Sequence, residues 1–346
     1  YRIDGVLNEQ LTAPKHSQAA LISRLKIMAD LDITERRVPQ DGRVKVNIKG
    51  EEVDMRVSTL PTTYGEKVVI RLLNQNEDLL NIEKLGFSKE NLNKFKKLIH
   101  NPNGILLVTG PTGSGKSTTL FAALNKLNTI QKNIITIEDP VEYQIKGINQ
   151  VHAKPQIGLS FAKTLRSILR QDPDIIMVGE IRDEETAQIA VRAALTGHLV
   201  LSTVHTNDAL STITRLVDMG IPPYLVSSSL IGIISQRLVR RLCKKCRVSY
   251  EPTEEEKEYI GIEDVDKLYK SEGCMRCNYS GYVGRLAIHE LLMIDSKLKL
   301  MIAEGEDQDK VKKYAIEKGM ITLREDGINK MLRGLTSLEE LRKIVI

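Results

Sequence analysis

The sequence has no tryptophan, only four phenylalanines, and 4% aromatic residues overall. That scarcity argues against a single-stranded nucleic-acid groove, which needs aromatic platforms for its bases. No apolar run approaches the roughly 20 residues of a membrane-spanning helix, and no secretory signal pattern opens the chain. Cysteine is confined to four positions in two close pairs, which excludes a disulfide framework and points to a metal site in a reducing compartment. Neither sign of charge dominates. Fifty basic and 45 acidic residues leave a net +5, compatible with an acidic partner or a membrane surface but requiring neither. What is present is 346 residues, 27% of them charged, enough for two or more hydrophobic cores in a soluble, helix-rich α/β protein. The chain starts on Tyr1 within the strand-like Arg2-Ile3-Asp4-Gly5-Val6, so a natural N-terminal portion is expected to precede it.

Residues 1–73 pattern as a small α/β domain. Leu21, Leu25 and Met28 share one helical face. Three alternating runs follow: Val44, Val46, Ile48; then, past a turn at Lys49-Gly50, Val53, Met55, Val57; then Val68, Ile70, Leu72, with Lys67 and Arg71 on the opposite face. The polar stretch in 74–80 reads as a linker. From 81 the pattern changes to strands (104–109, 133–138, 174–179, 198–203) alternating with helices (116–128, 160–171, 183–196, 223–242), which implies a parallel sheet covered on both faces. This core is expected to reach 242, with a cysteine-bearing insert over 243–285 and a mostly helical tail over 286–346.

Gly110-Pro111-Thr112-Gly113-Ser114-Gly115-Lys116-Ser117-Thr118 follows the apolar run Ile105-Leu106-Leu107-Val108 and precedes a helical pattern. A glycine-rich loop in that context points backbone N–H groups at phosphate oxygens, with Lys116 adding charge and Ser117 a hydroxyl for Mg²⁺. In a parallel sheet, ligands bind at the carboxyl ends of the strands. Glu138-Asp139-Pro140, with Glu142 beyond, ends one strand there, and Glu180 ends another. A lone carboxylate after an apolar strand is ordinarily a loop residue; two at neighbouring strand ends beside a phosphate loop suit phosphoryl transfer to water. His198 and His205 flank the next strand.

These residues closely resemble the secretion ATPases of type II secretion and type IV pilus assembly, over essentially the whole chain. The phosphate loop matches that family's Walker A motif, and Ile134 to Glu142 is similar to its aspartate box. The run from Asp172 to Asp183, with Gly179 in place of the usual Mg²⁺-holding Asp, resembles its Walker B motif, and Thr196 to Asn207 its histidine box. The resemblance implies a RecA-like P-loop ATPase core, a preceding PAS-like domain, and ATP with Mg²⁺ as cofactors. It implies Ser117 as a Mg²⁺ ligand, Glu180 or Glu138 as general base, and His198 and His205 as γ-phosphate sensors or links to a subunit interface. Arg56 and Arg71 fall in stretches resembling those that hold the family's arginine fingers; Arg166, Arg170, Arg182 and Arg215 are weaker candidates for subunit contacts. A cytoplasmic homo-hexamer is implied, peripheral to the inner membrane face and working through an inner-membrane platform protein on pilin or pseudopilin.

Cys243-Lys244-Lys245-Cys246 and Cys274-Met275-Arg276-Cys277 are two CxxC knuckles that can supply four thiolates to a structural Zn²⁺. Such an element favours the assembly or secretion branch over retraction. The basic cluster Arg237, Arg240, Arg241, Lys244, Lys245 and Arg247 reads as a subunit interface or acidic-lipid contact, with no nucleic acid expected. Pilus assembly is the preferred function. Type II secretion is the alternative, and a nucleic-acid motor of RecA-like fold the alternative from another class.

Overall fold

The computed structural model describes residues 1–48, 50–73 and 80–344. Lys49 of the expected turn and all but Leu80 of the expected linker lie outside the described residues. The chain divides into two compact units, Tyr1–Asn76 and Glu77–Ile346.

In the first unit, β1 (Arg2–Ile3) and β2 (Val6–Leu7) pair antiparallel across a turn at Asp4 and Gly5. Helix α1 (Gln18–Met28) precedes an antiparallel meander of β3 (Gln40–Ile48), β4 (Glu51–Thr62) and β5 (Gly65–Leu73). The alternation expected for β3 is kept at Val44 and Val46, half-buried and alternating with exposed Arg43 and Lys45, but fails at the strand's end, where Ile48 is exposed. On β5 it fails as well: Val68 is half-buried, but Ile70 and Leu72 are exposed. The reason is coverage. Helix α1 meets β5 at its turn end, where Gln18 donates to Tyr64 and buried Lys26 pairs with Glu66.

The second unit is built on a sheet of seven strands in the order β14-β11-β6-β10-β9-β7-β8. In chain order it contains α2 (Lys89–Ile99), β6 (Gly104–Thr109), α3 (Lys116–Leu127), β7 (Ile134–Glu138) and β8 (Asn149–His152). Then come α4 (Phe161–Ile168), β9 (Ile175–Val178), α5 (Glu184–Leu195), β10 (Leu199–Val204), α6 (Ala209–Asp218), α7 (Pro223–Ser229) and β11 (Leu230–Leu242). The cysteine-bearing region contains β12 (Arg247–Tyr250), α8 (Glu254–Ile260) and β13 (Leu268–Ser271), followed by β14 (Tyr282–Met293). Helices α9 (Ser296–Ala303), α10 (Gln308–Glu317), α11 (Leu323–Leu332) and α12 (Leu338–Arg342) close the unit. Strands β6 to β11 run parallel and β14 antiparallel to β11. Alternate residues of β6 feed opposite cores, Ile105 and Leu107 one, Leu106 and Val108 the other. A strand buried on both faces reads as a continuous apolar run, which is why this one was legible.

Two expectations are corrected. The helix expected over 223–242 stops at Ser229, and residues 230–242 form β11. The run is rich in β-branched residues, and Gly232 lets it approach Leu98 too closely for a side chain. The tail expected to be mostly helical from 286 opens instead with most of β14, which belongs to the main sheet. A third core joins the far halves of β11 and β14 to the cysteine-bearing region and α11–α12, through Val239, Leu268, Ile288, Met331 and Leu341.

Candidate nucleotide site and tetracysteine cluster

Strand β6 ends at Thr109, and the next six residues fold into a loop whose three glycines all have positive φ (Gly110 144°, Gly113 81°, Gly115 89°). Two of them are also sterically required. A Cβ on Gly110 would stand 2.3 Å from the Gln236 carbonyl oxygen, and one on Gly115 would stand 2.7 Å from Gln236 Nε2. Gln236, itself only 2% exposed, donates from Nε2 to the Ser114 carbonyl (2.8 Å) and accepts from Thr119 Oγ1 (2.7 Å). This brace carries no motif that singles it out; only the side-by-side register of β11 and β6, Ser235 opposite Thr109, reveals it.

Lys116 opens α3 and folds back, donating to the carbonyls of Gly110 (2.9 Å) and Pro111 (3.1 Å). Burial lowers the pKa of its ammonium, the Glu180 carboxylate raises it, and Arg237 lowers it further. Ser117 is exposed at the start of the helix, where its hydroxyl can reach a metal ion. Pro111, Thr112 and Gly113 are exposed at the tip, and Thr118 is half-buried.

Glu180 lies just past β9 and is drawn to this centre. Its carboxylate pairs with Arg182 Nε at 2.5 Å and faces His205 Nε2 at 3.5 Å. Strand β10 fixes the turn from its other side, with Thr203 Oγ1 donating to the Gly179 carbonyl (2.7 Å) and the Ile181 amide to Thr203 O (2.9 Å). Position 179 is tight. A Cβ there would sit 3.2 Å from Ile137 O and 3.4 Å from Glu138 Cα, which accounts locally for a glycine where an Asp is usual. Burial, then the Lys116 charge, lowers the pKa of His205, against the opposing pull of Glu180.

Glu138, at the carboxyl end of β7, is 3% exposed. It accepts from Thr136 Oγ1 (2.5 Å) and Gln150 Nε2 (3.0 Å), and burial raises its pKa against those two bonds. His198 is a correction. It stands at the amino end of β10, where its Nδ1 lies 2.9 Å from Ala193 O at the end of α5. Six residues of strand, about 20 Å, separate that end from His205, so within one subunit His198 cannot sense a phosphate on the loop. Asp172 and Asp174 also belong to the amino end, where Asp174 accepts from the Asn133 amide (2.7 Å), while Asp183 caps α5.

The basic cluster is split, with Arg237 and Arg240 half-buried and Arg241, Lys244, Lys245 and Arg247 exposed. Arg240 pairs with Glu340 at 2.6 Å and lies over the Tyr282 ring, Arg247 donates to Gly334 O, and Arg237 donates to Asn207. Lys244, Lys245 and Arg241 are exposed with no such partner among the described residues, and Arg247 is exposed despite its bond. Of the weaker arginine candidates, Arg166 pairs with Glu185 (2.7 Å), Arg170 donates to Arg166 O, and Arg215 is exposed. In the first unit, the register sets Arg43, Arg56 and Arg71 opposite one another across β3, β4 and β5. Arg43 was not singled out from sequence, because only strand pairing puts it in that row.

The four thiols meet although 27 residues separate the two knuckles. Cys243 and Cys274 Sγ are 3.9 Å apart, Cys246 and Cys277 3.8 Å, and all four sulfurs lie within 4.8 Å of one another. Zn–S bonds of about 2.3 Å would set tetrahedral sulfurs about 3.8 Å apart, so the cluster has the dimensions of a metal site. The Cys274 amide donates to Cys277 Sγ (3.1 Å), a bond that favours the thiolate form of that sulfur.

Residues 1–343 match the family model described as type II/IV secretion system protein. The chain belongs to that family. It is 53% identical over 344 residues to type II secretion system protein E of Dickeya dadantii, covering 99% of this chain and 69% of that one. It is 54% identical over 343 residues to the type IV pilus assembly ATPase PilB of Thermus thermophilus, covering 98% of this chain but 39% of that one. Among solved structures, the pilus retraction motor PilT with bound ADP matches with a TM-score of 0.66 at 29% identity, over 99% of this chain and 89% of that one. The Legionella pneumophila ATPase DotB shares the fold (TM-score 0.68, 21% identity, 98% of this chain and 85% of that one). As a secretion ATPase the chain is an ATP hydrolase with a RecA-like core, and the family implies ATP and Mg²⁺. No helix among the described residues is long and apolar enough to cross a membrane.

Proposed function

We propose that this secretion ATPase is the catalytic part of a hexameric motor at the cytoplasmic face of the inner membrane. It drives assembly of pilin into a type IV pilus through a membrane platform protein. The observation that carries the catalytic reading is the meeting of Lys116, Glu180 and His205 at the carboxyl ends of neighbouring strands. The loop amides and Lys116 hold the β- and γ-phosphates, and Ser117 is the ligand for a Mg²⁺ that neutralises developing charge. Glu180 orients the attacking water, being the carboxylate that acts electrostatically on Lys116. Glu138 supports the neighbouring strand end from its bonds with Thr136 and Gln150. His205, whose pKa partial burial and the Lys116 charge lower against the pull of Glu180, contacts the γ-phosphate as a hydrogen-bond donor. His198 is left for a subunit interface.

Arg56 and Arg71 act as arginine fingers. Their support is the row they form with Arg43, since residues directly opposite one another across β3, β4 and β5 project from the same face of the sheet. Replacing Arg56 or Arg71 with Ala is expected to cut turnover about 10³-fold or more while nucleotide binding survives; normal turnover would exclude the role. The four thiolates hold a structural Zn²⁺, closed to substrate because every ligand is protein.

Type II secretion is the second reading, favoured by the near-equal identity to the Dickeya dadantii protein. A deletion strain decides between them. Lost surface pili with normal enzyme secretion supports pilus assembly, and the reverse supports secretion. Stimulation of turnover by DNA or RNA, steeply weakened by salt, would favour a nucleic-acid motor instead.

A further inference from the structure

Strand β11 runs past the end of β6, so Gln236 and Arg237 lie alongside the phosphate loop. Successive strand residues face opposite ways. Gln236 turns into the loop, and Arg237 turns to the segment between β10 and α6, where its Nη2 donates to Asn207 O (3.1 Å) and Asn207 Oδ1 (3.3 Å). The other amino group of the guanidinium, Nη1, is buried and meets no acceptor among the described residues. The surrounding charges are mixed. Lys116 repels the guanidinium, while Asp208 and the buried Glu290 attract it. Both carboxylates are already engaged at the start of α6, where Glu290 accepts from the Ala209 amide (2.9 Å) and Asp208 from the Ser211 amide (2.7 Å). A half-buried arginine beside a phosphate loop, with one donor anchored and one buried without an acceptor, is built to meet an anion.

We propose that Arg237 is a nucleotide-binding residue contributed by the same subunit, its Nη1 donating to a terminal phosphate oxygen of the nucleoside triphosphate while Nη2 stays on Asn207. This deepens the phosphate-loop reading above and rests on it. The histidine-bearing segment from His205 to Asp208 is thereby tied to the same anion as the loop. The tie has a second strand, because Thr109 at the foot of the loop is hydrogen-bonded to Thr206 (Thr206 N to Thr109 Oγ1, 3.0 Å). Loss of the terminal phosphate would release one end of that connection.

The test is calorimetric titration of the full chain, in magnesium buffer, with a non-hydrolysable imido analogue of ATP and with ADP. A charge-assisted bond predicts that Arg237→Ala weakens the analogue about tenfold or more and ADP less than about threefold. Arg237→Lys keeps the charge but loses the fork, and is expected to fall between the two. If Arg237→Ala does not fold, judged by nucleotide-free thermal unfolding, Arg237→Lys decides alone by a several-fold loss confined to the triphosphate. Native affinity for the analogue in the folded variant, with or without reduced turnover, would overturn the proposal and leave Arg237 only a brace for Asn207. Equal losses for analogue and ADP would overturn it too. Failure of the unsubstituted chain to bind either nucleotide would sink the phosphate-loop reading along with it.

Discussion

At the scale of single residues, chemistry and position separate groups that the sequence lists together. Glu138 and Glu180 both follow apolar strands, yet one is buried against Thr136 and Gln150 while the other faces Arg182 and His205 beside Lys116. Glu180→Gln is therefore expected to lower steady-state ATP turnover by about 10²–10⁴-fold while the triphosphate still binds, as an equilibrium titration would record. Near-native turnover would move the water-orienting role to Glu138. His205 and His198 show why a motif cannot be read as one site. They flank a single strand, and a strand carries its two ends to opposite edges of a sheet.

At the scale of elements, β11 deserves the weight that its sequence does not advertise. It pairs with β6 and β14, braces the phosphate loop through Gln236, anchors Asn207 through Arg237, and ends one residue before the first cysteine. Gln236→Leu leaves the Ser114 carbonyl and Thr119 hydroxyl without their partner in a buried place. The expected cost is about 2–4 kcal/mol of stability in denaturant unfolding, with weaker nucleotide binding because the loop loses its backing. A loss below about 0.5 kcal/mol would show that the brace is replaced by water.

At the scale of the whole molecule, the region around β12, α8 and β13 is held to the sheet by one shared core and one cluster of thiols. The chain as purified is expected to contain about one zinc ion. Cys277→Ser, or chelation, should remove it and lower the thermal midpoint by at least about 5 °C; an unchanged midpoint in metal-free protein would exclude a structural role. A second global property is sensitivity to acid. His289, fully buried on the Phe87 ring with Lys330 nearby, has its pKa pushed well below the ordinary 6.5 by burial and then by that charge. Above 6.5 it is neutral in both folded and unfolded chains. Below that, the unfolded chain takes up a proton that the folded one refuses, so stability is lost as pH falls, by up to about 1.4 kcal/mol per unit. His289→Phe keeps a ring on Phe87 and should flatten the slope of unfolding free energy between about pH 6.5 and 5. The same slope in both proteins would show that His289 does not control it.

Much of this protein was legible in order along the chain. Local signals sufficed for the phosphate loop, for the apolar runs of β6, β7, β9 and β10, and for the paired knuckles, because each depends on residues within a few positions of one another. The limits of that legibility are equally physical. Leu230–Leu242 satisfies helical and strand spacing alike, and only strands on both sides make it β11. The sequence by itself determined what the chain can grip: phosphate through Gly110–Ser117, and a metal through four thiols. Tertiary structure alone decided which groups surround that grip. Gln236 and Arg237 reach it across more than a hundred residues, and His198 is removed from it, because contacts between strands depend on register and not on distance along the chain.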